Sequence, residues 1–141
     1  MSVETFVDTN VFVYHLDASD ERKHAVAEQI VRSALRERNA CISFQVVQEC
    51  LNVVCSKARI GLSVEQAKAY LDAVLLPLMA VGASAELYQR ALAIRARWQL
   101  SFHDSLVVAA ALMAGCTRLL SEDLSHGQRL DTLTVIDPFR T

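Results

Sequence analysis

A chain of 141 residues, 52% hydrophobic and 21% charged, has the composition of a globular protein long enough to bury a core, so one domain spanning 1–141 is expected. The net charge of −2 lacks the basic surplus usual in nucleic-acid binders, although the groups Lys57/Arg59 and Arg90/Arg95/Arg97 leave that class open. No stretch is apolar for long enough to cross a bilayer, and the N-terminus runs into an apolar strand without a basic, signal-like segment. A soluble, cytoplasmic protein without membrane contact is the expectation.

Residues 3–8 read as a first strand and 9–16 as a helix, because apolar Phe6 and Val7 lead into Asp8-Thr9-Asn10 and a second apolar run follows at once. Asp20 to Arg38 carries Ala25, Val26, Ile30, Val31, Ala34 and Leu35 at helical spacing, which makes an amphipathic surface helix. Residues 40–44 form a second strand, and Gln45 to about Ser56 a helix with a buried stripe through Val46, Cys50 and Val54. Ser63-x-x-Gln66 has the form of a capping box and starts a helix through about Leu76. Pro77 to Val81 is a third strand, and Ser84 to Trp98 an amphipathic helix.

Ser101 to Ala114 is apolar nearly all round, hence a buried helix, and Gly115 ends it. Arg118–Leu120 and Leu133–Ile136 supply strands four and five. Strands alternating with helices predict an α/β fold: a three-layer α/β/α sandwich with a mostly parallel central sheet of about five strands. Four cysteines, at 41, 50, 55 and 116, lack zinc-ligand spacing and read as small buried hydrophobes in a reducing compartment.

Four of the 16 acidic residues stand apart. Asp8 and Asp123 directly follow apolar strands, Glu49 has no ion-pair partner one turn away on its helix, and Asp104 opens the most apolar helix. Each has a structural explanation when taken alone. Asp8 suits a helix cap, Asp104 completes a capping-box pattern with Ser101, Glu49 an exposed helix face, and Asp123 an Asx-turn. Jointly they say more, since in a parallel sheet every strand end followed by a helix lies on one edge. Carboxylates converging there without adjacent cations repel each other and call for bound cations. Oxygen-only ligands favour Mg²⁺ or Mn²⁺, and ions held this way suit phosphodiester hydrolysis by an activated water.

The segments VDTNVFVYHLD (7–17), Gln48-Glu49 within FQVVQECLNVV, FHDSLVVAAALMAGC (102–116) and LLSEDLSHGQRLDTLTVIDPF (119–139) resemble those of PIN-domain ribonucleases of the VapC type, the toxins of toxin–antitoxin pairs. The resemblance covers essentially the whole chain, with four short motifs in the right order. It implies that Asp8, Glu49, Asp104 and Asp123 form a catalytic, metal-binding set for Mg²⁺ or Mn²⁺. It also implies that Asn10 supports the first Asp and that Ser121 orients a water, while Glu122 falls at a variable position outside the site. The implied partners are an RNA substrate, a small antitoxin and a second copy in a homodimer. Lys57, Arg95 and Arg97 are candidates for phosphate contacts. His103 and His126 flank the site, and Tyr14, Trp98 and Phe102 are either core or base-stacking residues.

Two other readings compete. A catalytically silent module of the same fold would bind RNA or protein, yet binding gains nothing from four mutually repelling carboxylates. A phosphatase or dehalogenase with Asp8 as nucleophile wants a second acid beside it and a downstream Lys, and no Lys follows Lys68.

Overall fold

The computed structural model describes residues 3–56 and 60–141. Its sheet has six strands in the order β3-β2-β1-β4-β6-β5. They are β1 (Thr5–Val7), β2 (Ala40–Ser43), β3 (Met79–Val81), β4 (Arg118–Leu120), β5 (Arg129–Leu130) and β6 (Leu133–Ile136). All neighbours pair in parallel except β5 with β6. From β1 the chain winds outward through β2 to β3, then returns to place β4 on the other side of β1. The crevice between the carboxyl ends of β1 and β4 is therefore the topological switch point, where open α/β sheets receive ligands.

Helices α1 (Thr9–Leu16), α2 (Glu21–Glu37) and α3 (Phe44–Ser56) follow β1 and β2. Next come α4 (Val64–Tyr70), α5 (Leu76–Leu78), α6 (Ala85–Trp98) and α7 (Phe102–Met113). Helix α2 lies over the sheet face formed by Thr5, Val7, Ala40 and Leu120. Helices α6 and α7 pack on each other, and α7 also meets β2, β4 and β6. The three-layer α/β/α sandwich is thus observed. Residues 106–111 of α7 are all buried, as their unbroken apolar run requires. Phe6, Phe12, Ile42, Leu119 and Val135 are fully enclosed at the centre. Among the described residues no helix is long and apolar enough to cross a membrane.

Three elements differ from the sequence reading. The sheet has a sixth strand: β5 is two residues long, with Arg129 exposed, so no alternating run announced it. It folds back on β6 through a turn in which Asp131 adopts φ 57°. Pro77 and Leu78 finish a helix instead of opening β3. Between α4 and α5 the backbone widens into a π-helical turn, Leu71–Leu75, closed by the Leu76 N–H on the Leu71 carbonyl. Pro77 offers no N–H and its ring crowds the carbonyl four residues earlier, which the wider turn relieves. Cys55 is exposed, on the side of α3 away from Val46, Cys50 and Val54, while the other three cysteines are buried.

Candidate active site

Asp8 is the first residue past β1, and its N–H donates to the Leu120 carbonyl at 3.0 Å, which locks the ends of the two central strands together. Asp8 is buried, 4% exposed. Oδ1 accepts from the Thr9 N–H at 2.8 Å, and Oδ2 accepts from the Ser121 hydroxyl at 2.9 Å. Burial pushes this carboxyl up to about 6. The Thr9 and Ser121 donors pull it down, and the charges of Asp123 and Glu49 push it up again. Asp8 therefore caps α1 and also belongs to a carboxylate group; the two readings of it are compatible.

Glu49 reaches the same edge from the second turn of α3. Its Oε2 accepts from the Thr9 hydroxyl at 3.0 Å, and its Oε1 lies 3.0 Å from His103 Nε2. Asp123 is held by the Asn10 side-chain amide, which donates to Oδ1 at 3.1 Å, and its own N–H donates to Ser121 Oγ at 3.2 Å. Asn10, expected to support the first Asp, is instead bonded to Asp123, and Ser121, expected to orient a water, bonds the Asp8 carboxylate. Asp104 sits in the first turn of α7, half-buried, and its N–H donates to the Ser101 cap at 3.0 Å. The Gln45 side chain donates to the His103 carbonyl at 3.2 Å and binds this turn to α3. Among the described residues no hydrogen bond ties the Asp104 carboxylate to the other three.

Sequence reasoning missed Thr9, which touches Glu49, and undervalued His103. The signal for Thr9 was its place between Asp8 and Asn10; for His103 it was only adjacency to Asp104. Of the cationic candidates, Arg95 donates to the Leu100 carbonyl at 3.0 Å and Arg97 to Asp131 at 2.9 Å. Neither bond leads to the carboxylates, and Lys57 lies outside the described residues. Phe102 is partly exposed beside His103, whereas Tyr14 and Trp98 pack against the core.

Among the described residues no three His, Cys, Asp or Glu side chains gather closely enough to enclose one ion. The donor set nevertheless suits Mg²⁺, which keeps several waters and takes one or two carboxylates at a time. Asp8 has two such neighbours within electrostatic reach, and all the donors are oxygens.

The chain resembles known proteins in sequence and in fold. The PIN domain model matches residues 5–128. A toxin–antitoxin complex from Klebsiella pneumoniae is similar in structure, with TM-score 0.68, 17% identity and coverage of 96% of this chain and 98% of that one. FitAcB from Neisseria gonorrhoeae gives TM-score 0.67 and 17% identity over 97% and 99% of the two chains. The sarcin–ricin-loop-cleaving toxin VapC20 of Mycobacterium tuberculosis gives 0.62 and 21% over 85% and 90%. No curated protein is close enough in sequence to count as a relative. At these identities the structural likeness speaks for the fold, and the sequence match over most of the chain goes further: the protein belongs to the PIN domain family.

Proposed function

We propose that this protein is a Mg²⁺- or Mn²⁺-dependent endoribonuclease of the cytoplasm, the toxin of a toxin–antitoxin pair, working as a homodimer and restrained by a small antitoxin. One observation carries the reading. Asp8, Glu49 and Asp123 converge on the switch point, and the charges of the latter two raise the pKa of the buried first. A divalent ion held by one or two of these carboxylates and its own waters would neutralise their repulsion and polarise both water and phosphate.

The chain's own residues prepare that chemistry. Thr9 spends its N–H on Asp8 and its hydroxyl on Glu49, so one residue orients two carboxylates. Ser121 turns Asp8 Oδ2 and, through its oxygen, the Asp123 backbone. A water attacking phosphorus must shed a proton as the P–O bond to the leaving oxygen breaks. A carboxylate of this group not taken by the ion would accept it. The toxin–antitoxin reading draws support from structural neighbours described as such complexes.

The test is cleavage of a mixed RNA pool by the purified protein with Mg²⁺, Mn²⁺ or EDTA, alongside Asp8→Asn and Asp104→Asn. Metal-dependent cleavage that both variants lose supports the reading. RNA bound equally by all three proteins, and cut by none under any metal, would overturn it in favour of a silent binding module.

A further inference from the structure

Three consecutive side chains hold the loop after β4. Ser121 bonds Asp8 and Asp123 bonds Asn10, whereas Glu122 between them turns to another partner set. Glu122 Oε1 accepts from the Tyr14 hydroxyl at 2.8 Å, and Oε2 accepts from Lys23 Nζ at 2.6 Å. Lys23 also donates to Tyr14 Oη at 3.2 Å, which closes a three-membered ring of bonds. The ammonium stands 4.8 Å from the Tyr14 ring centroid and 5.7 Å from that of Phe139, a cation–π arrangement. The two rings meet edge-on at 4.8 Å, and Arg22 fixes the Phe139 carbonyl at 2.7 Å.

Exposed ion pairs contribute little. Here the Lys23 and Glu122 side chains retain only 23% and 25% of their exposure, and three elements converge on the pair. Asn10 and Tyr14 lie one turn apart on α1 and so share a face. One face of one helix therefore grips two neighbouring residues of the loop. Asp123 itself is exposed and has only the Asn10 bond on its carboxylate among the bonds described. Its placement depends on the loop's.

We propose that Glu122, clamped by Lys23 and Tyr14, is a positioning residue that sets the Asp123 carboxylate at the metal site, an inference that rests on the metal-dependent nuclease reading. Lys23 at the same time matches the Glu122 charge, which keeps that carboxylate out of the group it adjoins.

The experiment compares Glu122→Ala, Lys23→Met and Glu122→Gln with Arg32→Ala, which breaks an exposed ion pair elsewhere on α2. Two readouts apply: NMR resonances of the Asn10 side-chain amide and Asp123 N–H in metal-free protein, and Mn²⁺ affinity by calorimetry. Glu122→Ala and Lys23→Met are expected to shift both resonances and weaken Mn²⁺ binding about tenfold or more, the usual effect of losing a residue that orients a ligand. In RNA cleavage they lower kcat with KM nearly unchanged. Glu122→Gln restores the resonances and most of the affinity, because Tyr14 can accept from the new amide while Lys23 still donates. Arg32→Ala changes neither readout. A folded Glu122→Ala protein with wild-type resonances and Mn²⁺ affinity would overturn the proposal. Wild-type protein that takes up no Mn²⁺ would sink the metal-dependent reading, and the resonances would still decide whether Glu122 positions Asp123.

Discussion

Ser121 donates its hydroxyl to Asp8 Oδ2 at 2.9 Å while its oxygen accepts from the Asp123 amide at 3.2 Å, so one hydroxyl couples the aspartate that follows β1 to the one in the loop after β4. Removing it leaves a buried carboxylate oxygen and a backbone N–H without their partners. Ser121→Ala is expected to destabilise the fold by about 1–3 kcal/mol and to reduce RNA cleavage. Urea melts and cleavage assays on the same preparation would check both; unchanged stability would mean that the bond is dispensable.

The raised pKa of Asp8 has a sign that can be tested. Its ordinary value is 3.8 and its folded value about 6, so the folded chain binds the proton more tightly. The resulting stability is fully present below 3.8 and is lost as pH rises through 6. A shift of this size is worth up to about 3 kcal/mol at one pKa unit per 1.36 kcal/mol. In EDTA the wild type should therefore be more stable at pH 5 than at pH 7.5. Asp8→Asn should remove that slope and be the more stable protein at pH 7.5. A wild-type melting temperature indifferent to pH across this window would contradict the buried-charge account.

Divalent ions should reverse the preference. An ion that binds only the folded chain stabilises it by RT ln(1 + [L]/Kd), about 1.4 kcal/mol at tenfold over Kd. Mg²⁺ is expected to raise the wild-type melting temperature and leave Asp8→Asn unmoved, which a thermal melt with and without EDTA would show.

Thiol chemistry offers a check on the fold that does not involve the site. Cys55 is exposed; Cys41, Cys50 and Cys116 are buried. Burial pushes the Cys50 thiol up to about 12, far from a reactive thiolate. Cys41 and Cys116 face each other with sulfurs 3.7 Å apart inside the core. A disulfide reagent should titrate one thiol quickly in native protein and the other three only after unfolding. Rapid reaction of Cys50 would contradict the packing of α3.

Ser43 ends β2 fully buried, and its Oγ has no hydrogen-bond partner among the described residues. A hydroxyl enclosed without a partner costs about 1–3 kcal/mol in mutational data. Ser43→Ala should therefore match or exceed the wild type in a urea melt. A clear loss of stability would show that the hydroxyl does bond in solution.

The α/β class and most element boundaries were legible because strands and helices alternate and carry strong apolar signals. Asp8 stood out as polar after a buried strand, and Glu49 as a helical acid lacking a partner on its own helix. Its real partners, Thr9 and His103, arrive from α1 and α7, which periodicity within α3 cannot reveal. Glu122 looked irrelevant for a similar reason: Lys23 lies 99 positions away and meets it only once α2 packs. Strand β5 escaped because two residues make no pattern. Arg97 looked free for phosphate on a polar helix face, and the β5–β6 turn presents Asp131 to it.

Strands β1 and β4 are sheet neighbours, yet the bond between Ser121 and Asp8 spans 113 positions of sequence. During translation β1, β2 and the first helices emerge long before β4 does. Asp8 then has its Thr9 donor but neither Ser121 nor Asp123, and β1 lacks one of its two sheet partners. A nascent chain therefore holds an incomplete site until β4 and the loop after it have left the ribosome, since long-range strand pairing must wait for the later segment. For a protein proposed to cut RNA, the order of the strands acts as a safety catch, released only once β4 has been made and paired.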